Sequence, residues 1–449
     1  MEPLLNKSCI FCVVLIFFYA AVTADGKVIY VDDDAPADFN NIQAAINDAN
    51  ERDTVIVGDG MYTGDGNRDI DFKGKTLTVR SANGPENCII DCDGTETEPH
   101  RGFYFHSGED ANSVVWGLTI TNGYGPDEEL SGVPLSSGGA ICCMDSAPTI
   151  SNCIIRGNST AMVGGGIFSW RSSPIVSNCI FSGNSAYVGG GACSSGGVIS
   201  NCLFESNQAQ KGSGVFCHSS DTVSIAVRTQ GAVPTDGRIV PLSNNVGRFS
   251  QRIVNSTFFA NTAVLEGGAI FCSGFTHPLV INCILWADSA SHGSEIAMFA
   301  IGSRSSLSIS YSDVQGGQAG IAVGSEPGCG LNWGPGNVDA DPMFADPNNG
   351  DYHLKSQAGR WNPKTQSWIK DDVTSPCVDA GASMSPIGHE PFPNGGIINM
   401  GAYGGTAEAS KSYFGKPICQ TIIAGDINGD CKVDFSDFAI MTVHWLEER

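Results

Sequence analysis

The phrase Asn152-Cys153-Ile154-Ile155-Arg156-Gly157-Asn158 returns as Asn178-Cys179-Ile180-Phe181-Ser182-Gly183-Asn184 and again as Asn201-Cys202-Leu203-Phe204-Glu205-Ser206-Asn207. Two variants follow, Asn255 to Asn261 and Asn282 to Asp288. Between copies sits a second phrase: Gly138-Gly139-Ala140-Ile141, Gly164-Gly165-Gly166-Ile167, Gly189-Gly190-Gly191-Ala192 and Gly267-Gly268-Ala269-Ile270. The leading asparagines stand 26, 23, 54 and 27 residues apart. A period of this size marks one structural unit stacked on copies of itself.

A unit of about 25 residues with two or three short strands supplies one turn of a parallel β-helix, whose coils stack about 4.8 Å apart. A β-propeller blade needs ~40–45 residues, and a leucine-rich repeat needs leucine at fixed columns, so both fail on pattern. The expected fold is therefore all-β, a right-handed single-stranded parallel β-helix. Identical columns then lie in near contact. Asparagine at a turn tolerates left-handed angles and can bond the next asparagine. The glycine pairs let the backbone take positive φ. Cys153, Cys179, Cys202 and Cys283 share one column, which predicts a buried thiol ladder rather than a disulfide or zinc framework. Cys88 with Cys92 and Cys419 with Cys431 are the expected bridges.

The 449 residues contain 56 glycines, and 16% are charged, which fits short strands and tight turns better than helices. The net charge of -23 disfavours a nucleic-acid partner, which needs a basic stripe. It would also repel an anionic polysaccharide unless calcium bridged the two. Lys7, the apolar run Ile10 to Val22 and Val22-Thr23-Ala24 read as a secretory leader cleaved before Asp25. The run is short for a span of ~20 residues, so no transmembrane span is expected in the mature chain.

Val28 to Val31 reads as a first strand. Ile42, Ala45, Ile46 and Ala49 then fall on one helix face, suited to covering the open end of a stack. Further strands are expected at Thr54 to Val57, Thr76 to Val79, Cys88 to Ile90, Phe103 to Phe105, Ser113 to Ile120, Leu307 to Ser310, Asp351 to Leu354, Cys377 to Asp379 and Asn399 to Tyr403. One oversized coil holds an excursion at Asp221 to Gln251, with a strand-like Thr222 to Val227. The resulting division is a leader (1–24), a β-helix with its N-terminal cap (25–327), an irregular β region acting as the other cap (328–410), a linker (411–423) and a calcium-loop-and-helix tail (424–449).

The glycine phrase and the Phe-x-x-Asn phrase (Phe181 to Asn184, Phe204 to Asn207, Phe258 to Asn261) resemble the repeats of polymorphic outer-membrane proteins. Ile42 to Ile46 and Asp53 to Val57 resemble the cap and first coil of pectin-lyase-like proteins. These resemblances imply a surface or extracellular β-helix and leave function open, since the fold hosts lyases, hydrolases, epimerases and adhesins.

The sharpest chemical motif is Asp426-Ile427-Asn428-Gly429-Asp430-Cys431-Lys432-Val433-Asp434-Phe435-Ser436-Asp437. Asp426, Asn428, Asp430, Asp434 and Asp437 place oxygens as a Ca²⁺ loop requires, and the Lys432 carbonyl adds a ligand. The loop with the following helix, Phe438 to Leu446, resembles half of a type I dockerin, which implies Ca²⁺ and a cohesin-like partner. Cys431 stands where glycine is usual, and the second half is missing, which weakens the partner expectation. Asp32-Asp33-Asp34 and Asp371-Asp372 read as solvated acidic turns. Pectate-lyase and polygalacturonase signatures are absent. Arg156 and Arg171 are the first candidates for a catalytic base, and His106, His218 and His277 could line a groove, yet no acid–base pair has a telling spacing.

Two readings follow. One is an exported, non-catalytic β-helix that binds a polysaccharide or cell-surface component. The alternative is a polysaccharide lyase or glycoside hydrolase.

Overall fold

The computed structural model describes residues 26–34, 36–130, 133–219, 251–299, 305–325, 328–413, 433 and 435–444. The chain coils into a parallel β-helix. Among the described residues its three long sheets hold eleven, nine and eight strands. A typical coil passes through Thr149–Ser151 in the first sheet, Ile154–Arg156 in the second and Ile167–Trp170 in the third. The next coil repeats this as Ile175–Ser177, Ile180–Ser182 and Ala192–Ser194. A short fourth sheet joins Ser185–Val188, Gln208–Lys211 and Thr262–Glu266.

The core follows from alternation within these short strands. Val115, Ile150, Val176, Ile199, Ile253, Val280 and Ile309 form one aligned column of the first sheet, and all are buried. Phe181, Phe204 and Phe258 stack in the second sheet with ring centroids 4.5 and 4.8 Å apart. That separation is the strand spacing itself. Each fully buried phenylalanine stabilises by roughly 1.5–3 kcal/mol.

The first helix, α1 (Ile42–Asp48), buries Ile42, Ala45 and Ile46 in the main core, as the apolar spacing predicts. Asn41 caps it by accepting a 2.8 Å hydrogen bond from the Ala44 N–H. The expected strand from Ser113 to Ile120 is instead two strands, Val114–Trp116 and Thr119–Thr121. Gly117, at φ 69°, turns the chain between the first and second sheets.

That corner is where the leading asparagines sit. Asn152, Asn178, Asn201, Asn255 and Asn282 all take left-handed angles, with φ between 46° and 55°. The continuous hydrogen-bonded ladder, however, belongs to the asparagines that close each phrase. The side-chain oxygen of Asn184 accepts from both N and Nδ2 of Asn158, each at 3.1 Å. The same double bond links Asn184 to Asn207, Asn207 to Asn261, and Asn261 to Asp288.

Cys153, Cys179, Cys202 and Cys283 are buried free thiols in one column, held well above the usual thiol range by burial at Cys153 and Cys179. Ser256 and Ser312 complete the column by accepting hydrogen bonds from the N–H groups of Cys202 and Cys283. The expected Cys88–Cys92 bridge is not formed, and both thiols are free and buried. Four residues along an extended strand span about 13 Å, twice what a disulfide can bridge. Cys419 and Cys431 lie outside the described residues, as does the excursion expected from Asp221 to Gln251 except for Gln251 itself, which opens the strand Gln251–Val254.

Cys329–Trp333 adds the last strand of the first sheet. Beyond it, the region expected as an end cap runs back along the outer face of the second sheet. Phe344, Tyr352, Leu354, Cys377 and Met400 pack there against Leu203 and Ile284. The expected strands at Cys377 to Asp379 and Asn399 to Tyr403 are turns. Their backbone groups bond to the stack and to side chains rather than to a neighbouring strand, as when the Gly401 N–H donates to the Asn282 carbonyl at 2.8 Å. The tail helix α2 (Phe435–His444) begins three residues earlier than the sequence suggests.

Asn207→Ala is expected to lower unfolding stability by roughly 2–4 kcal/mol in a denaturant titration, because it strands the buried Asn184 donors and the Phe181 carbonyl of the preceding coil. Cys202→Ser should cost less than about 1 kcal/mol, since serine already fills this column at Ser256 and Ser312.

A cleft on the outer face of the second sheet

Side chains that alternate with the core point outward from the second sheet. Ile154, Ile180, Leu203, Thr257 and Ile284 make one such column. The C-terminal region covers its later coils. At the earlier coils the face opens into a cleft of about 340 Å³. Ile180 and Leu203 lie in it, the leading asparagines Asn152, Asn178 and Asn201 line it, and Tyr403 and Glu408 of the docked segment complete it.

The leading asparagines explain how that segment is held. Asn201 Nδ2 donates to the carbonyls of Ala402 and Gly404 at 3.0 and 2.7 Å. Asn255 Nδ2 donates to Gly404 at 3.3 Å. Asn282 accepts from the Ala382 N–H at 2.8 Å and donates to Ser385 Oγ at 3.1 Å. One column of amides, repeated at each coil, thus grips the 382–404 backbone at three coils and lines open space at the two before them.

Tyr403 and Glu408 are positioned by a buried polar network. The His353 ring stacks on Tyr403 with centroids 3.7 Å apart. His353 Nδ1 lies 2.7 Å from Asp351 Oδ1, and Nε2 lies 3.2 Å from Glu408 Oε2. Arg360 joins Asp351 to Asp371 through contacts of 3.2 and 3.1 Å. Asp371 is therefore a partly buried ion-pair partner, while Asp372 is exposed as its sequence suggests. Tyr352 donates to Glu205 Oε2 at 2.6 Å and ties the network to the sheet. Burial pulls the His353 pKa down, but hydrogen bonds to Asp351 and Glu408 outweigh it and leave the value raised. Burial likewise pushes Asp351 up, and His353 with Arg360 brings it below the usual carboxylate range.

The residues singled out from sequence do not converge on this cleft. Arg156 is exposed on the second sheet's outer face, outside the cleft lining. Arg171 stands at another corner, paired with Asp145 at 2.9 Å. His218 is buried against Phe168, Trp170 and Phe216 on the third sheet, and burial lowers its pKa to about 4. His106 stacks on Tyr104, and His277 lies 2.7 Å from Ser306 Oγ. Asp32, Asp33 and Asp34 bring carboxylate oxygens within 4.8 Å of one another in a largely exposed turn. Asp426, Asn428, Asp430, Lys432 and Asp434 lie outside the described residues, while Asp437 is buried in the first turn of α2. Sequence reading missed Tyr403 and Glu408, because only the long-range docking gives them neighbours.

Residues 120–229 match the family described as right handed beta helix region, and residues 324–381 match one described as disaggregatase related. Among curated proteins, none matches the chain. Among solved structures, a pectin methylesterase from carrot is 11% identical, with 69% of this chain and 89% of that one covered, at a TM-score of 0.39. A pectate lyase, Pel9A, is 13% identical, with 84% and 96% covered, at a TM-score of 0.38. A rhamnogalacturonan lyase is 10% identical, with 65% and 68% covered, at a TM-score of 0.32. These likenesses concern the fold alone.

Protonated His353 and ionised Asp351 support each other, which sets a pH window. A raised histidine stabilises fully below about pH 6.5 and loses this as pH rises through its folded value. A depressed aspartate stabilises above about pH 4 and loses this as pH falls. Melting followed by tryptophan fluorescence should therefore decline as pH rises above about 6.5. His353→Gln is expected to lower the melting temperature at pH 6 and flatten that decline.

Proposed function

We propose that this chain is a glycan-binding β-helix protein in which an uncharged, hydroxyl-rich polymer lies across the second sheet beside Asn152, Asn178 and Asn201. One observation carries this reading. The amide column that holds the protein's own 382–404 backbone presents the same groups, one coil apart, to the open cleft. An extended polymer with a regular series of oxygen acceptors and donors matches such a column. Ile180, Leu203 and Tyr403 add apolar surface of the kind sugar rings pack against. The described lining holds one carboxyl group, Glu408, and no lysine or arginine. With a net charge of -23, that favours a neutral glycan over an anionic one.

In the same reading the leader exports the protein, and the tail loop of Asp426, Asn428, Asp430, Lys432, Asp434 and Asp437 binds Ca²⁺ and retains it at a cell surface. In this reading Asp437, in the first turn of α2, is the loop's last ligand.

A specific observation favours the enzymatic alternative. Glu408 faces the cleft with His353 and Asp351 behind it, an arrangement able to move a proton. Hydrolysis of a glycosidic bond ordinarily takes a second carboxyl group across the substrate, and the described cleft lining offers none.

Asn178→Gly keeps the left-handed corner, as Gly117 does natively, and removes one amide. Affinity electrophoresis in gels containing neutral polysaccharides should show about 2–10-fold weaker retention for this variant, the loss of a single hydrogen bond. Glu408→Gln should leave retention within twofold. Release of reducing ends or unsaturated products, abolished by Glu408→Gln, would establish the enzyme instead. Asp426→Ala/Asp430→Ala in the full chain is expected to lower bound Ca²⁺ by one ion per molecule, counted by mass spectrometry.

A further inference from the structure

The last full coil departs from the repeat at two positions at once. Asn158, Asn184, Asn207 and Asn261 form the ladder, and the fifth position is Asp288. A second column, set by the register of the third sheet, reads Ala140, Gly166, Gly191, Gly214, Ala269 and then Glu295. The packing shows why glycine comes first. A Cβ at Gly191 or Gly214 would lie 2.7 or 2.6 Å from the ring of Phe204 or Phe258. Where the core residue shrinks to Leu285 and then Val314, the column grows to Ala269 and Glu295.

Two carboxyl groups therefore enter one dry corner together. Glu295 is fully buried, and its carboxyl group meets the Asp288 carboxyl group and backbone and no other donor. Asp288 is 6% exposed; its Oδ1 is taken by the Asn261 donors, and Oδ2 has no donor other than the Glu295 carboxyl group. Asp313 lies close enough to act on Glu295 electrostatically, but its own oxygens accept from the Ala340 N–H and the Cys377 thiol. Among the described residues, no lysine, arginine or histidine pairs with any of the three. A peptide oxygen borders the same space: a Cβ at Gly320 would lie 2.4 Å from the Gln315 carbonyl and 3.7 Å from Glu295 Cγ. Buried carboxylates are expected to be paired or to hold a metal.

We propose that Asp288 and Glu295 form a buried site for a hard divalent cation, Ca²⁺ or Mg²⁺, that locks the last full coil of the stack. Three buried carboxylate oxygens that meet no cation and no donor outside this Asp288–Glu295 pair are the donor type such ions take. Burial, with the Asp288 charge next, pushes Glu295 up to about 11, and burial pushes Asp288 up to about 7. Both directions state the cost of this corner without a cation. The site is independent of the cleft, and of the tail loop 138 residues away in sequence from Asp288 to Asp426.

The test uses the full chain carrying Asp426→Ala/Asp430→Ala, so the tail contributes no Ca²⁺. The protein is unfolded in EDTA, refolded with Ca²⁺ or with Mg²⁺, dialysed, and its metal counted by mass spectrometry. One cation per chain, with a melting temperature several degrees above the metal-free protein, is the expected result. Adding Asp288→Asn/Glu295→Gly, which restores the residues of the earlier coils, should abolish both. Should that variant fail to fold, Glu295→Gln is read by the same count. Metal absent from the parent, with melting insensitive to either cation, would overturn the proposal. Equal metal in parent and restored variant would overturn it as well.

Discussion

A coiled chain has no closed core to enforce its register, so each coil must be told where to sit by the one before it. Here that instruction is a pair of hydrogen bonds. Each asparagine of the column Asn158, Asn184, Asn207 and Asn261 donates through its backbone and its side chain to a single oxygen one coil on. Its amide also reaches a carbonyl of the preceding coil, as Asn207 does to Phe181. A slip by one residue would break every rung and turn the core columns outward. The Phe181, Phe204 and Phe258 stack, the buried thiols and the glycines beneath the rings are arranged by the same register.

A stack that repeats its interior also repeats its exterior. The leading asparagines are obliged to be there by a tight left-handed corner, yet their side chains face away from the core. Five equivalent amides therefore lie along one edge of the second sheet. The C-terminal region uses three of them to dock, and its end forms the wall of the cleft in which the remaining two stand with Asn201. Structural regularity thus becomes a recognition surface without any change of residue. The coils that break the pattern matter for the opposite reason. Asp288 and Glu295 replace an amide and a glycine, and they introduce charge where the earlier coils have none.

The fold was legible because its signals are periodic. The Asn-Cys phrases, the glycine phrases and the Ile42 to Ala49 spacing each predict what the chain does locally. The reading of Cys153, Cys179, Cys202 and Cys283 as a thiol column also follows from period alone. Cys88 and Cys92 are close in sequence but do not pair, because the extended strand between them holds them beyond the reach of a disulfide. Ser113 to Ile120 reads as one strand because Gly117 looks like a mere interruption until its corner is seen. The cleft was not legible at all. Asn201 meets Ala402 across 201 residues, and no local pattern announces that contact. The sequence did mark Asp288 as a variant of the phrase, but its meaning needed Glu295 beside it, which only the superposed columns provide.

The most direct measurement is hydrogen–deuterium exchange of the full chain with and without a neutral glycan that retains it in gels. Slowed exchange confined to residues 152–156, 178–182, 201–205 and 402–408 is the predicted result. Unchanged exchange there, or protection confined to the third sheet's outer face around Trp170 and His218, would contradict a glycan seat on the second sheet.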